Sequence, residues 1–304
     1  MLRRNVLLFH NAALGDFVMT WPIAVAVGRV LAQSRVMYVT AASKGGLAER
    51  LIGVEAVDAE AGWHALHADA PSLPDLPTKL LKSLQLAVVF SKEPDERFMS
   101  NLRTLAADAP VLHLSPNPPA GVHVWEHQLA QLQASPMLHN AVQQVQRLVE
   151  SQGLGRASKA SAKQLIIHPG SGAARKNWPL ERFVDVARIV RGRGWTTLFT
   201  VGEVEREQMS RPQFSAMSDA GEVRSCDTLD HLADSILSAT VYLGNDSGPT
   251  HLAAILGKPT LAMFGPTSDA VAWAPKGPRV RMESFEASPE QIAETIVNLD
   301  QPRR

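Results

Sequence analysis

The feature that most constrains this chain is an alternation that runs through it twice. Short apolar runs, too brief for helices, are separated by longer amphipathic stretches. In the first half, residues 6–9, 36–40, 86–90 and 111–114 read as buried strands, and 21–32 as a helix with Thr20 as its N-cap and Pro22 in its first turn. The stretch 68–77 is rich in Pro, Asp and Ser and is expected to be a loop, and 129–152 has helical spacing up to Gly153. A second series gives strands at 165–167, 197–201, 241–243 and 260–264. Its helices are expected at 179–191, 229–238, 250–256 and 288–299. Pro179 opens the first of these, and Phe183, Ala187 and Val190 fall on one face of it. Strands alternating with helices predict parallel βαβ units.

Between the two series lies GLGRASKASAK, residues 153–163, small, polar and basic, which reads as a linker. The expected architecture is therefore α/β, with two doubly wound, Rossmann-like lobes at 1–155 and 156–304. The last helix is expected to return and pack on the first lobe. A length of 304 residues suits two domains, and 45% apolar with 20% charged residues is a globular composition. Ligands of such sheets bind beyond the carboxyl ends of the strands, so the site is expected where the two lobes face each other.

Charge and cysteine usage exclude several classes. Lys+Arg and Asp+Glu both number 30, so no basic excess points to nucleic acid. The single cysteine, Cys226, allows no internal disulfide, which fits a reducing compartment. The N-terminal apolar run, 6–9, is too short for a signal peptide, and no stretch approaches the roughly 20 apolar residues of a membrane span.

Three segments carry candidate chemistry, each just after an expected strand. Asn11-Ala12-Ala13-Leu14-Gly15-Asp16 puts a glycine turn and a carboxylate at a strand end; a capping aspartate is the plain alternative. His168-Pro169-Gly170-Ser171-Gly172, followed by Arg175 and Lys176, is a loop rich in backbone N–H groups and able to cradle phosphate. It is neither a Walker motif nor a full G-x-G-x-x-G, and a solvated turn is its plain alternative. Gly244-Asn245-Asp246-Ser247-Gly248-Pro249-Thr250-His251 leaves a strand and opens a short helix, whose N-terminus offers a positive dipole end to an anion. His123 and His127 have metal-ligand spacing without an evident third ligand, so packing or surface roles are expected for them, as for His64 and His67.

HPGSGAARKNWPLERF together with YLGNDSGPTHLAAILGKPTLAMFGPT closely resembles the C-terminal lobe of glycosyltransferase family 9, and ALGDFVMTWP resembles that family's opening segment. The family includes the heptosyltransferases of the lipopolysaccharide inner core. The resemblance implies a GT-B fold, an inverting mechanism, an ADP-activated sugar donor, and no metal or other cofactor. It also implies a glycolipid acceptor at the inner face of the inner membrane, met by a cytoplasmic, peripheral enzyme. Carried over by position, it makes Asp16 the catalytic base with Asn11 and Gly15 on the acceptor side. Lys176 stabilises the leaving group. Gly170, Ser171, Gly172 and Lys176 become diphosphate contacts, and Asp246, Ser247, Gly248, Thr250 and His251 the donor-binding turn. Either Glu203 or Glu205 meets the ribose, and Asp227–Thr228 lies near the base of the nucleotide. Ala12, Ala13 and Asn11 replace more usual polar or basic residues, which bears on the identity of sugar and acceptor. Two other classes fit the same residues. A sugar-nucleotide epimerase or hydrolase would act without an acceptor, and a non-catalytic binding protein would lack a working base.

Overall fold

A computed structural model describes residues 3–155 and 163–301. The chain divides into two compact units, Met1–Arg147 and Leu148–Arg304. The division falls inside a helix rather than in the 153–163 stretch, of which 156–162 lie outside the described residues.

The first unit runs β1 (Asn5–His10), α1 (Leu14–Met19), α2 (Trp21–Val30), β2 (Arg35–Thr40), α3 (Ala42–Ile52), β3 (Glu55–Asp58), α4 (Asp75–Lys82), β4 (Leu84–Phe90), α5 (Glu96–Leu105), β5 (Val111–Leu114), α6 (Val124–Gln131) and α7 (Pro136–Gln152). Its five strands are parallel in the order β3-β2-β1-β4-β5. β1 is buried along its whole length, as a central strand covered on both faces must be. Leu7 and Phe9 face a core with Met37, Val39, Trp63, Leu66 and Leu102.

The second unit runs β6 (Gln164–His168), α8 (Leu180–Gly192), β7 (Thr196–Val201), α9 (Glu203–Gln208), α10 (Arg211–Ala220), β8 (Glu222–Ser225), α11 (Leu229–Ser238), β9 (Val241–Asn245), α12 (Gly248–Ile255), β10 (Thr260–Phe264), β11 (Val280–Ser284) and α13 (Pro289–Asp300). Its six strands are parallel in the order β11-β10-β9-β6-β7-β8. Renumbered from β6, this is the 3-2-1-4-5-6 order of a dinucleotide-binding fold, with its switch point between β6 and β9. Phe183, Ala187 and Val190 of α8 do enter the core, against Trp178, Phe199 and Leu243.

Several expectations need correction. Gly15 is not in a turn: Ala13 is extended (φ −61°, ψ 165°), so α1 starts at Leu14 with Gly15 inside it. The helix expected at 129–152 is interrupted, because α6 ends at Gln131 and Pro136 opens a new helix. The 68–77 loop gives way to α4 at Asp75. The apolar face of the last helix is buried within its own unit. Ile292, Ala293, Ile296 and Leu299 of α13 sit in the core of the second, where α13 packs on α8.

Candidate functional site

The two glycine-bearing turns of the second unit leave β6 and β9, which are hydrogen-bonded neighbours on either side of the switch point. That placement brings segments some 70 residues apart in sequence into contact. Asn245 joins them and is fully buried. Its Nδ2 donates to the Pro169 carbonyl at 2.7 Å, and its Oδ1 accepts the Trp178 N–H at 2.9 Å. One side chain thus fixes both ends of the loop 169–178. Lys176 adds a second link: its Nζ lies 2.6 Å from Asp246 Oδ2. Asp246 is buried, and its other oxygen is 3.9 Å from His251 Nε2.

Within the first turn, Ser171 Oγ lies 2.6 Å from Asn177 Oδ1 and 2.8 Å from the Ala173 carbonyl, with one proton to give them. Its hydroxyl therefore shapes the loop from inside. Gly172 is exposed and Lys176 half-buried, beside the short 3-10 helix Ala174–Lys176. Thr267 Oγ1 donates to the Arg175 carbonyl at 3.2 Å, holding the loop from the segment after β10. In the second turn, Thr250 Oγ1 donates to the Asn245 carbonyl at 2.5 Å, and Ser247 Oγ is 3.1 Å from Thr250 Oγ1. These hydroxyls close the turn that presents the first residues of α12.

The two glutamates after β7 differ sharply. Glu203 is exposed, whereas Glu205 is buried, with Oε2 accepting the Gly202 N–H at 2.8 Å. Its Oε1 lies 3.9 Å from Nε2 of the buried His168. Burial pushes His168 below the usual imidazole range, with Glu205 acting in the opposite direction. A Cβ on Gly170 would collide with the Glu205 carboxylate, so this turn needs glycine for the carboxylate to tuck beneath it. Asp227 and Thr228 follow β8, two strands from β6. Asp227 is exposed and paired with Arg206, while Thr228 caps α11 by accepting the His231 N–H at 3.1 Å.

In the first unit Asp16 stands in the first turn of α1, neither buried nor fully exposed, just beyond β1. Lys44, a residue the sequence reading passed over, donates to the Ala12 carbonyl at 2.5 Å. Burial lowers the Lys44 ammonium and Asp16 draws it back up, so the two charges are electrostatic neighbours. Asn11 is exposed and Gly15 partly buried. Asn177, Thr267 and Lys44 were missed, and Asn245 was named only as part of its segment, because their weight lies in contacts across the fold. Only Asn245, next to Asp246 in a polar run that closes an apolar strand, left a signal in the sequence. Among the described residues no group of three or more His, Cys, Asp and Glu is placed to hold a metal ion. His123 is spent as the N-cap of α6, accepting the Trp125 N–H at 3.1 Å.

The family model of glycosyltransferase family 9 (heptosyltransferase) matches residues 81–298. A lipopolysaccharide core heptosyltransferase, OpsX of Haemophilus influenzae, is 27% identical over 106 residues, covering 34% of this chain and 30% of that protein. Lipopolysaccharide heptosyltransferase 1 of Pseudomonas aeruginosa is 31% identical over 121 residues, 38% of this chain and 34% of that one. The matches thus span about a third of the length of these curated relatives. Two solved structures share the fold from end to end. A family 9 glycosyl transferase from Veillonella parvula superposes with a TM-score of 0.70 at 17% identity, covering 99% of this chain and 98% of that one. The ADP-heptose lipopolysaccharide heptosyltransferase II of E. coli gives 0.69 at 15% identity, with 97% and 98% covered.

Proposed function

The chain belongs to glycosyltransferase family 9, and from that premise we propose that it moves a sugar, in the first instance heptose, from an ADP-activated donor to a lipopolysaccharide-core or related glycolipid acceptor. The observation that carries this reading is the pinning of two anion-friendly turns at the switch point of one sheet, through Asn245 and the Lys176–Asp246 pair. Backbone N–H groups of 170–172 and the start of α12 offer donors and a positive dipole end to the diphosphate. The Lys176 ammonium has three N–H donors. Asp246 takes one, fixes the side chain, and leaves two for phosphate oxygens. Charge building on the departing nucleotide is stabilised there, and the scheme requires no metal.

Of the two glutamates, Glu205 is the one assigned to the donor. Its carboxylate is held at the β7 end beside Gly170, whereas Glu203 points to solvent. Asp16 acts as general base on the acceptor hydroxyl, which attacks the anomeric carbon opposite the diphosphate and so inverts it. The acceptor is a glycolipid at the inner face of the inner membrane, reached by a protein whose described helices include none long and apolar enough to cross a membrane.

The test follows ADP release from ADP-heptose with and without a lipopolysaccharide-core acceptor, in the presence of a chelator. Transfer reads as acceptor-dependent release with inverted product. Release without acceptor indicates a hydrolase, interconversion of the donor an epimerase, and either removes the transfer reading.

A further inference from the structure

A pocket of about 290 Å³ opens in the first unit beyond the carboxyl ends of β1, β2 and β4. That is the edge of a doubly wound sheet where ligands bind. Its size, at the lower end of small-molecule sites (~300–1,000 Å³), suits one ring and its substituents. The walls are aromatic. Phe9 meets Trp63 edge-on at 5.1 Å and Phe98 edge-on at 5.5 Å, and Phe90 closes the β4 side. Trp63 is 3% exposed, and its indole N–H has no acceptor among the described residues.

The charge around this pocket is one-sided. Glu60, Glu93 and Asp95 line it beside the imidazoles of His64 and His67, and no Lys or Arg does. Asp95 is already engaged: Oδ1 accepts the Phe98 N–H at 2.8 Å, and Oδ2 is 2.9 Å from His67 Nδ1. Glu60 and Glu93 are exposed, and neither has an ion-pair partner among the described residues. Nearby cations are committed elsewhere. Lys44 is held by the Ala12 carbonyl and Asp16, and Arg97 by Asp69 at 2.9 Å. Lys92 is exposed and does not line the pocket. His10, which does, is buried and held neutral, its pKa lowered to about 3 by burial and by Lys44.

We propose that this pocket receives a ring of the acceptor and selects a non-anionic sugar, an amine-bearing one best, against a sugar carrying carboxylate or phosphate. The aromatic walls take the apolar face of the ring, and Glu60 and Glu93 attract an ammonium and repel an anion. That the occupant is the acceptor rests on the transferase reading above; the charge selection stands on the pocket itself.

The probes are methyl β-glucosaminide and methyl β-glucuronide, which share a ring and differ in charge. Each is titrated into the full chain at low ionic strength near neutral pH, with binding followed by NMR. The amine is expected to bind about tenfold more tightly than the carboxylate, a ratio that shrinks with added salt. In the Glu60→Gln/Glu93→Gln double variant, which alters only exposed side chains, the ratio should fall to near one. Equal or tighter binding of the glucuronide, no binding of either, or a ratio that survives the double variant would overturn the proposal. ADP titrated into the same samples separates the two readings. ADP bound without glycoside selection sinks the pocket alone, and selection without ADP binding sinks the donor site alone.

Discussion

Asn245 is the residue on which the second unit's turns depend, and its truncation has two separable effects. Asn245→Ala leaves the Pro169 carbonyl and the Trp178 N–H unpaired in a buried place, at about 1–3 kcal/mol for each group. The expected loss of about 2–4 kcal/mol is read by denaturant unfolding of the second unit, and ADP affinity should fall with it because the loop 169–178 is released. An Asn245→Ala protein with unchanged stability would show the two hydrogen bonds to be immaterial. Asp16 should behave differently. Asp16→Asn is expected to lower transfer by roughly 10²–10⁴-fold while ADP binds as before, since a general base acts on the acceptor and not on the nucleotide. Rate and ADP affinity measured on one preparation check this, and a normal transfer rate would remove Asp16 from the chemistry.

At the scale of elements, the turn after β6 and the start of α9 are built as a pair. Gly170→Ala forces the Glu205 carboxylate out of its place beneath the turn and off the Gly202 N–H. Donor affinity should drop about as far as in Glu205→Gln. A Gly170→Ala protein that binds ADP normally would contradict the pairing. The elements easiest to see from sequence were those with one strong period. β5, β10 and α11 fall where apolar runs and capping residues put them. β3, β8 and β11 were missed because they are sheet edges, partly exposed and mixed in polarity, so no run marks them. Of the site, the glycines and Asp246 were legible because turns and strand ends demand such residues. The choice between Glu203 and Glu205 was not, since two residues of spacing reverse which side of α9 faces the sheet. Lys44 was not legible either, as only the fold carries it from α3 to the end of β1.

At the scale of the whole molecule, each unit buries a histidine at the end of its central strand, His10 at the close of β1 and His168 at the close of β6. Both are held below their usual range by burial. For His10 the pKa falls from 6.5 to about 3, so below pH 6.5 the unfolded chain takes up a proton that the folded chain refuses. The first unit therefore loses stability as pH drops through that window, by at most about 1.4 kcal/mol per pH unit from this group. Hydrogen exchange of the β1 and β4 amides should report the loss, and His10→Phe, which keeps a ring against Phe17 and Phe90, should flatten it. An unchanged acid slope in that variant would assign the effect to other groups.

Whether the turns after β6 and β9 form the site of an ADP-linked donor is decided by calorimetric titration of the whole protein with ADP, UDP and GDP, without added metal. Selective ADP binding is expected, weakened about 10–100-fold by Lys176→Ala, which removes a charge-assisted contact to phosphate. Preference for UDP or GDP, no binding of any of the three, or ADP binding indifferent to Lys176 would contradict it.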